Sequence, residues 1–114
     1  MPDDITIQPA QGTWVVRAGG AVLGESNAVL RLSEDGHDPV IYFPKSDIAM
    51  EFLDVSDKDT TCPHKGDATH YSIVTKSTVL ENAAWSYETP LDSVAEIAGH
   101  IAFYDRDDVT VEQI

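Results

Sequence analysis

The stretch Thr61–Tyr71 concentrates residue types that can do chemistry. It contains the single cysteine of the chain, Cys62, together with His64, Lys65 and His70. A cysteine acts as a nucleophile or redox group through its thiolate, which a neighbouring cation favours. Lys65 can supply that cation if the intervening turn folds back. The alternative interpretation is a small, chemically inert cysteine that begins a turn.

A second group of polar and aromatic side chains lies in the segment 81–87, and it can complete a site. We expect the 61–71 turn and this segment to form a pocket for a small molecule, anionic ones included. Lys65 would neutralise an anionic group, Glu81 and Asn82 would orient polar atoms, and aromatic rings would provide stacking surface. The predicted ligand-binding residues are Lys65, Gly66, Tyr71, Glu81, Asn82 and Trp85, and the predicted catalytic residues, if the site is an enzyme's, are Cys62, Lys65 and Glu81. The alternative is that the aromatic residues fill the core while Lys65 and Glu81 form a surface ion pair.

Metal and cofactor signatures are weak or missing in the sequence. Structural zinc normally takes four Cys or His ligands with paired spacings, whereas Cys62 and His64 have no CxxC partner. Phosphate-binding motifs of the GxxxxGK[ST] and GxGxxG types do not occur, nor do GxSxG or HExxH. We therefore predict neither a metal site nor a bound cofactor.

The charge balance limits the partners of the protein. There are 20 Asp and Glu residues against seven Lys and Arg, which gives a formal charge of −13. Such a field repels phosphate backbones and anionic lipid surfaces, so we expect no nucleic acid and no membrane among the partners. A single cysteine, no signal-like stretch at residues 1–4 and no long apolar run predict a cytoplasmic protein. The sequence leaves a homo-oligomer open.

Short β-rich segments separated by turn residues predict a mainly β fold. Counting them gives an antiparallel sandwich or barrel-like domain over residues 1–114, with one short α-helix near residues 90–98 that starts at Thr89 and Pro90. Gly19-Gly20 predicts a tight hairpin between two of the strands. The polar run Ser56–Asp59 is expected to be a loop, and Lys76-Ser77 a hairpin tip.

Several motifs together resemble a bacterial family catalogued as domain of unknown function 427. They are the runs 61–68, 81–87 and 98–104, and an upstream run, 40–48, that contains the sequence Tyr-Phe-Pro. The resemblance implies a compact antiparallel β domain similar in topology to Mss4-like folds. It favours Cys62, Lys65, Gly66, Glu81, Asn82 and Trp85 as shared positions, whereas His64 and His70 stand where aromatic residues are common in the family.

Three classes of function follow from these observations. The leading hypothesis is a β domain that binds a small molecule in the pocket described above. The second is an enzyme, either one with Cys62 as a nucleophile or redox thiol, or one with the nucleotidyltransferase-like activity sometimes attached to the family. The third is a protein-interaction module without catalysis, in which exposed strand edges recognise a partner.

Overall fold

The chain forms ten β-strands in a computed structural model that describes residues 5–76 and 78–114. The predicted mainly β fold is confirmed, and the predicted hairpin tip at Lys76-Ser77 falls partly outside the described residues because Ser77 is not among them. The strands are β1 (Ile5–Pro9), β2 (Trp14–Ala18), β3 (Ala21–Ser26), β4 (Leu30–Glu34), β5 (Val40–Pro44), β6 (Leu53–Cys62), β7 (Gly66–Val74), β8 (Val79–Ser86), β9 (His100–Phe103) and β10 (Val109–Gln113).

The strands make two antiparallel sheets. The large sheet has seven strands in the order β1-β4-β5-β9-β8-β7-β6, and the small sheet has three in the order β10-β2-β3. Among the described residues β1 and β6 do not pair with each other, so the large sheet is open. The predicted hairpin at Gly19-Gly20 is confirmed: both glycines have positive φ, and β2 pairs with β3 on either side of them.

Strict alternation along the central strands divides the apolar residues between the two faces of the large sheet. On one face, Phe43, Ile73 and Ile101 pack against small-sheet residues such as Val16 and form the core between the sheets. On the other face, apolar and aromatic residues pack against Val94 and Ile97 of a short helix; they are Leu32, Tyr42, Ala68, Tyr87 and Ala102. This second face carries the cleft described below.

The predicted α-helix is a 3-10 helix, Asp92–Ile97, and it begins later than expected. Thr89 and Pro90 do not cap it, because Leu91 stays extended and donates its backbone N–H to the carbonyl of Lys65 at 2.9 Å. The segment before the helix is therefore bound to the β6–β7 turn. In the described part of the chain no helix has the length and apolar character needed to cross a membrane.

The predicted loop Ser56–Asp59 is wrong, since these residues lie inside β6. They read as a loop because β6 is an edge strand and most of its residues are exposed. Polar and charged side chains on an edge strand discourage pairing with other chains. A segment with this composition lacks the alternating apolar pattern from which a strand is predicted.

The small sheet contacts the segment between β5 and β6 at Gly24 of β3, which forms an isolated antiparallel bridge with Ile48. A Cβ atom at Gly24 would lie 2.5 Å from the carbonyl oxygen of Asp47 and 2.5 Å from Cδ1 of Ile48. We predict that Gly24→Ala lowers the free energy of unfolding by about 1 to 3 kcal/mol, because backbone has to shift. Urea denaturation measures the effect, and an unchanged midpoint would contradict the close approach.

Candidate functional site

A cleft of about 450 Å³ lies on the helix-bearing face of the large sheet. Strands β4 to β8 and the loops at their ends contribute to it. The lining residues are Leu32, Glu34, His37, Asp38, Val40, Tyr42, Thr60, Cys62, His64, Lys65, Ala68, His70, Trp85, Tyr87 and Tyr104. Three of the residues predicted from the sequence, Cys62, Lys65 and Trp85, are thus brought together.

Lys65 provides the charge centre of the cleft. Its Nζ donates to Glu34 Oε1 at 3.1 Å and to Cys62 Sγ at 3.6 Å. The side chains of Lys65 and Glu34 are only 14% and 10% exposed. Burial alone would lower the pKa of Lys65, but the hydrogen bond to Glu34 and nearby negative charges outweigh it and raise the pKa above its usual value. Lys65 is therefore a cation throughout the physiological pH range.

Aromatic rings line the opposite wall of the cleft, with Trp85 at their centre. Tyr42 meets the indole edge-on with ring centroids 6.3 Å apart, and Tyr104 lies against it at 4.4 Å and a tilt of 42°. Burial raises the pKa values of Tyr42, Tyr87 and Tyr104. At neutral pH these phenols are uncharged and can donate hydrogen bonds.

His70 lies at the floor of the cleft and is only 2% exposed. Its Nε2 is 2.8 Å from the hydroxyl oxygen of Thr60. Its Nδ1 is buried and has no hydrogen-bond partner among the described residues. Burial, helped by the positive charge of Lys58, lowers the pKa of His70, so the ring is neutral at pH 7. His70 therefore holds a buried ring nitrogen that the described side chains leave without a hydrogen bond.

Glu81 and Asn82 do not reach this cleft. They line a separate depression with Ser56 and Ser72, and the backbone N–H of Asn82 donates to Ser72 Oγ at 3.1 Å. Ser72 is about 20 Å along β7 from Gly66, at about 3.3 Å per residue. The structure therefore does not bring Glu81 together with Lys65, whose carboxylate partner is Glu34.

A bulge interrupts the pairing of β8 beside Glu81. Pairing with β7 steps from Tyr71 opposite Ala84 to Ile73 opposite Leu80, so β8 holds two extra residues at this point. Asn82 lies in the bulge with a φ of 51°. Two extra residues leave the faces of β8 unchanged, since Leu80 and Ala84 both pack in the core between the sheets. Glu81 is therefore separated from Trp85 by distance along the strand and not by a change of face.

Tyr71 and Gly66 also lie outside the lining of the cleft. The Tyr71 side chain is on the other face of the sheet from His70, where its hydroxyl donates to Glu88 Oε1 at 3.0 Å and accepts from Lys45 Nζ at 3.3 Å. Gly66 follows the turn with a φ of 115° and lies close to the carbonyl of Thr89. Its conformation is one that a residue with a Cβ rarely adopts.

Sequence reasoning missed Glu34, Tyr42 and Tyr104, although they complete the charge pair and the aromatic wall. Glu34 and Tyr42 lie in β4 and β5, and Tyr104 follows β9, so all three are distant in sequence from the Cys62 turn. The alternation of Leu32 with Glu34 in β4 was the available signal, because it predicts that both residues share one face of a strand.

Within residues 5–76 and 78–114 no three His, Cys, Asp or Glu side chains come together in a way that could hold a metal ion. The profile of a family described as a domain of unknown function, number 427, matches residues 6–113. The chain belongs to this family. The motif resemblance is thereby confirmed for the domain of unknown function 427, while the Mss4-like topology stays a prediction. A search of curated proteins finds no match to the chain.

The lowered pKa of His70 predicts a pH dependence of stability. In the unfolded chain His70 takes up a proton near its ordinary pKa of about 6.5, whereas in the folded protein its pKa is lower. The free energy of unfolding is therefore unaffected by this histidine above that pH and decreases as the pH drops below it. We expect urea unfolding of the wild type to lose more stability between pH 7 and pH 5.5 than that of His70→Gln. Equal losses would show that His70 titrates normally in the folded protein.

Proposed function

We propose that this domain binds a small planar heterocyclic molecule in the cleft between the β6–β7 turn and the aromatic wall. The observation that carries the proposal is that the Lys65–Glu34 ion pair is largely withdrawn from solvent yet lines the same cleft as the Trp85 ring. A cytoplasmic location, predicted from the sequence, belongs to the same proposal.

The contribution of the ion pair to the stability of the fold does not by itself account for its presence. Desolvating two charges can offset most of their mutual attraction, so an apolar pair at these positions would serve stability equally well. The Lys65 ammonium group has three N–H donors, of which two are directed to Glu34 and Cys62. The carboxylate of Glu34 also retains acceptor capacity. The Lys65 ammonium group and the Glu34 carboxylate, side by side, offer a ligand one hydrogen-bond donor and one acceptor.

The charges around the cleft favour a neutral ligand over a simple anion. Lys65 is a cation, while Glu34 and Asp38 are carboxylates in the same lining. Since the charge of Lys65 is already balanced by Glu34, an isolated anionic group would gain little there. A heterocycle with adjacent donor and acceptor atoms matches the pair without adding net charge. Anionic ligands, expected from Lys65 alone, therefore become the less favoured class.

The aromatic wall provides the complementary surface for such a molecule. The faces of the Trp85 and Tyr104 rings supply stacking area, and aromatic contacts of this kind contribute about 0.5 to 1.5 kcal/mol beyond the burial of area. Planarity and mixed hydrogen-bonding capacity are the two features that the cleft selects.

The proposal is tested by thermal unfolding with adenine, guanine, uracil and nicotinamide as probes. A probe at about ten times its Kd adds roughly 1.4 kcal/mol to the free energy of unfolding, which raises Tm by a few degrees. We expect at least one probe to do so, and the Glu34→Gln/Lys65→Met double variant to lose the shift. The double variant is used because removing Lys65 alone would leave the Glu34 carboxylate without its cation.

Two controls separate the cleft from other causes of the shift. Lys76→Met removes an exposed positive charge elsewhere and should leave the shift unchanged. Glu81→Gln alters the separate depression and should do the same. If no probe raises Tm, or if the double variant responds as the wild type does, heterocycle binding at the cleft is rejected.

A second candidate function is supported by one contact, the 3.6 Å approach of Lys65 Nζ to Cys62 Sγ. A cation at this distance stabilises a thiolate, and the half-buried thiol lines the cleft where a substrate would be held. The domain would then be an enzyme with Cys62 as nucleophile or redox thiol, and bound heterocycle as its substrate.

Alkylation by iodoacetamide at pH 7 tests this candidate. We expect Cys62 in the folded wild type to react faster than in the same chain unfolded in urea, because the folded state places the ammonium group beside the sulfur. The Glu34→Gln/Lys65→Met variant should lose most of that acceleration, and Lys76→Met should keep it. A folded wild type that reacts no faster than the unfolded chain removes Cys62 as a nucleophile.

A further inference from the structure

A second cavity of about 590 Å³ lies on the other side of the cleft's aromatic wall. It is located where the small sheet meets the large one, and side chains from both sheets line it. The apolar ones include Trp14, Ile41, Phe103 and Val111. Its charged groups are Arg31, which lies over the Trp14 ring at 5.9 Å, and two aspartates, Asp38 and Asp105.

The two cavities share a wall. Asp38, Val40, Trp85 and Tyr104 line both of them. Trp85 and Tyr104 are the same rings that face the Lys65–Glu34 pair across the cleft. A molecule that stacks on Trp85 in the cleft is therefore in contact with a residue that also borders the second cavity.

A break in the strand pairing of the large sheet lies beside this shared wall. β5 and β9, both wholly described, pair through Phe43 with Ile101 and Pro44 with His100. Towards Val40 of β5 and Phe103 of β9, which lie at the same end because the strands are antiparallel, the two strands continue without further pairing to each other. The pairing is therefore interrupted beside the residues that line both cavities.

We propose that the cleft and the second cavity form one site with two chambers, and that its ligand is a planar heterocycle carrying an apolar chain. The head binds between the Lys65–Glu34 pair and Trp85, and the chain passes between β5 and β9 into the second chamber. This inference rests on the proposed function, because the head is the heterocycle proposed above.

The second chamber suits a flexible apolar chain better than a second polar group. Its apolar side chains come from the seam between the sheets, and burying methylene groups against them is favourable in proportion to the area removed from water. Arg31 is occupied by the Trp14 ring, and the two aspartates would repel an anionic tail. A hydrocarbon chain makes use of the chamber without leaving a polar group unpaired.

The chain contains two tryptophans, and they lie in positions that separate the chambers. Trp85 borders both chambers, whereas Trp14 borders the second alone. Their indole N–H signals in a ¹H–¹⁵N spectrum report on the two chambers in the unmodified protein. The probes are 9-methyladenine and 9-octyladenine, with 1-methyluracil and 1-octyluracil as a second pair.

We expect the methyl probes to shift the Trp85 signal alone, and the octyl probes to shift both signals and to bind at least tenfold more tightly. Val111→Asp, which introduces a charge in the second chamber, should remove the octyl advantage and leave the methyl affinity unchanged. Thr110→Asp, which places the same charge on the exposed side of β10, should retain the advantage.

The outcomes separate the two proposals. If methyl probes bind while octyl probes bind no better and leave Trp14 unshifted, the second chamber is rejected and the heterocycle site stands. If neither series binds in the wild type, both are rejected. Octyl binding that shifts Trp14 but persists in the Glu34→Gln/Lys65→Met variant would overturn the placement of the head.

Discussion

The contact between Lys65 and Glu34 requires the large sheet to be strongly curved. Lys65 belongs to the turn before β7 and Glu34 ends β4, and three strands, β5, β9 and β8, lie between those two in the sheet. Four strand spacings in a flat sheet amount to about 19 Å, which is far beyond the reach of a lysine side chain. The sheet must therefore curl strongly towards its helix-bearing face for the 3.1 Å contact to form. The bond from the Leu91 N–H to the Lys65 carbonyl holds the turn in the same position.

The sequence predicted those features that depend on neighbouring residues. Alternation and turn residues were sufficient for the mainly β fold and for the hairpin at Gly19-Gly20. The residue types of the two segments predicted a pocket that includes Cys62, Lys65 and Trp85, and these three residues line one cleft. The same prediction failed at Glu81, because local patterns do not give its distance from the Cys62 turn. Glu81 lies beside Ser72, which is about 20 Å along β7 from Gly66.

The remaining parts of the cleft depend on the order of strands in the sheet. Glu34, Tyr42 and Tyr104 are distant from the Cys62 turn along the chain, and only the curl of the sheet brings them to it. Local patterns contain no information on which strands become neighbours, since alternation is the same for any pairing partner. For this reason the predicted carboxylate partner of Lys65 was Glu81, which is near in sequence, whereas the partner in the structure is Glu34, which is near in space.

The curl of the sheet and the interrupted pairing between β5 and β9 occur in the same part of the sheet. Hydrogen-bonded strands resist being bent apart, so a sheet that curls this far is most easily deformed where pairing is shortest. Those places are the β5–β9 and β8–β9 pairs, each joined by two residue pairs, whereas β6 and β7 are joined by seven. The rings of Tyr42 on β5 and Trp85 on β8 meet edge-on across β9, which lies between their strands. The curvature that the Lys65–Glu34 contact requires is thus accommodated where pairing is short, on either side of β9 and next to Trp85.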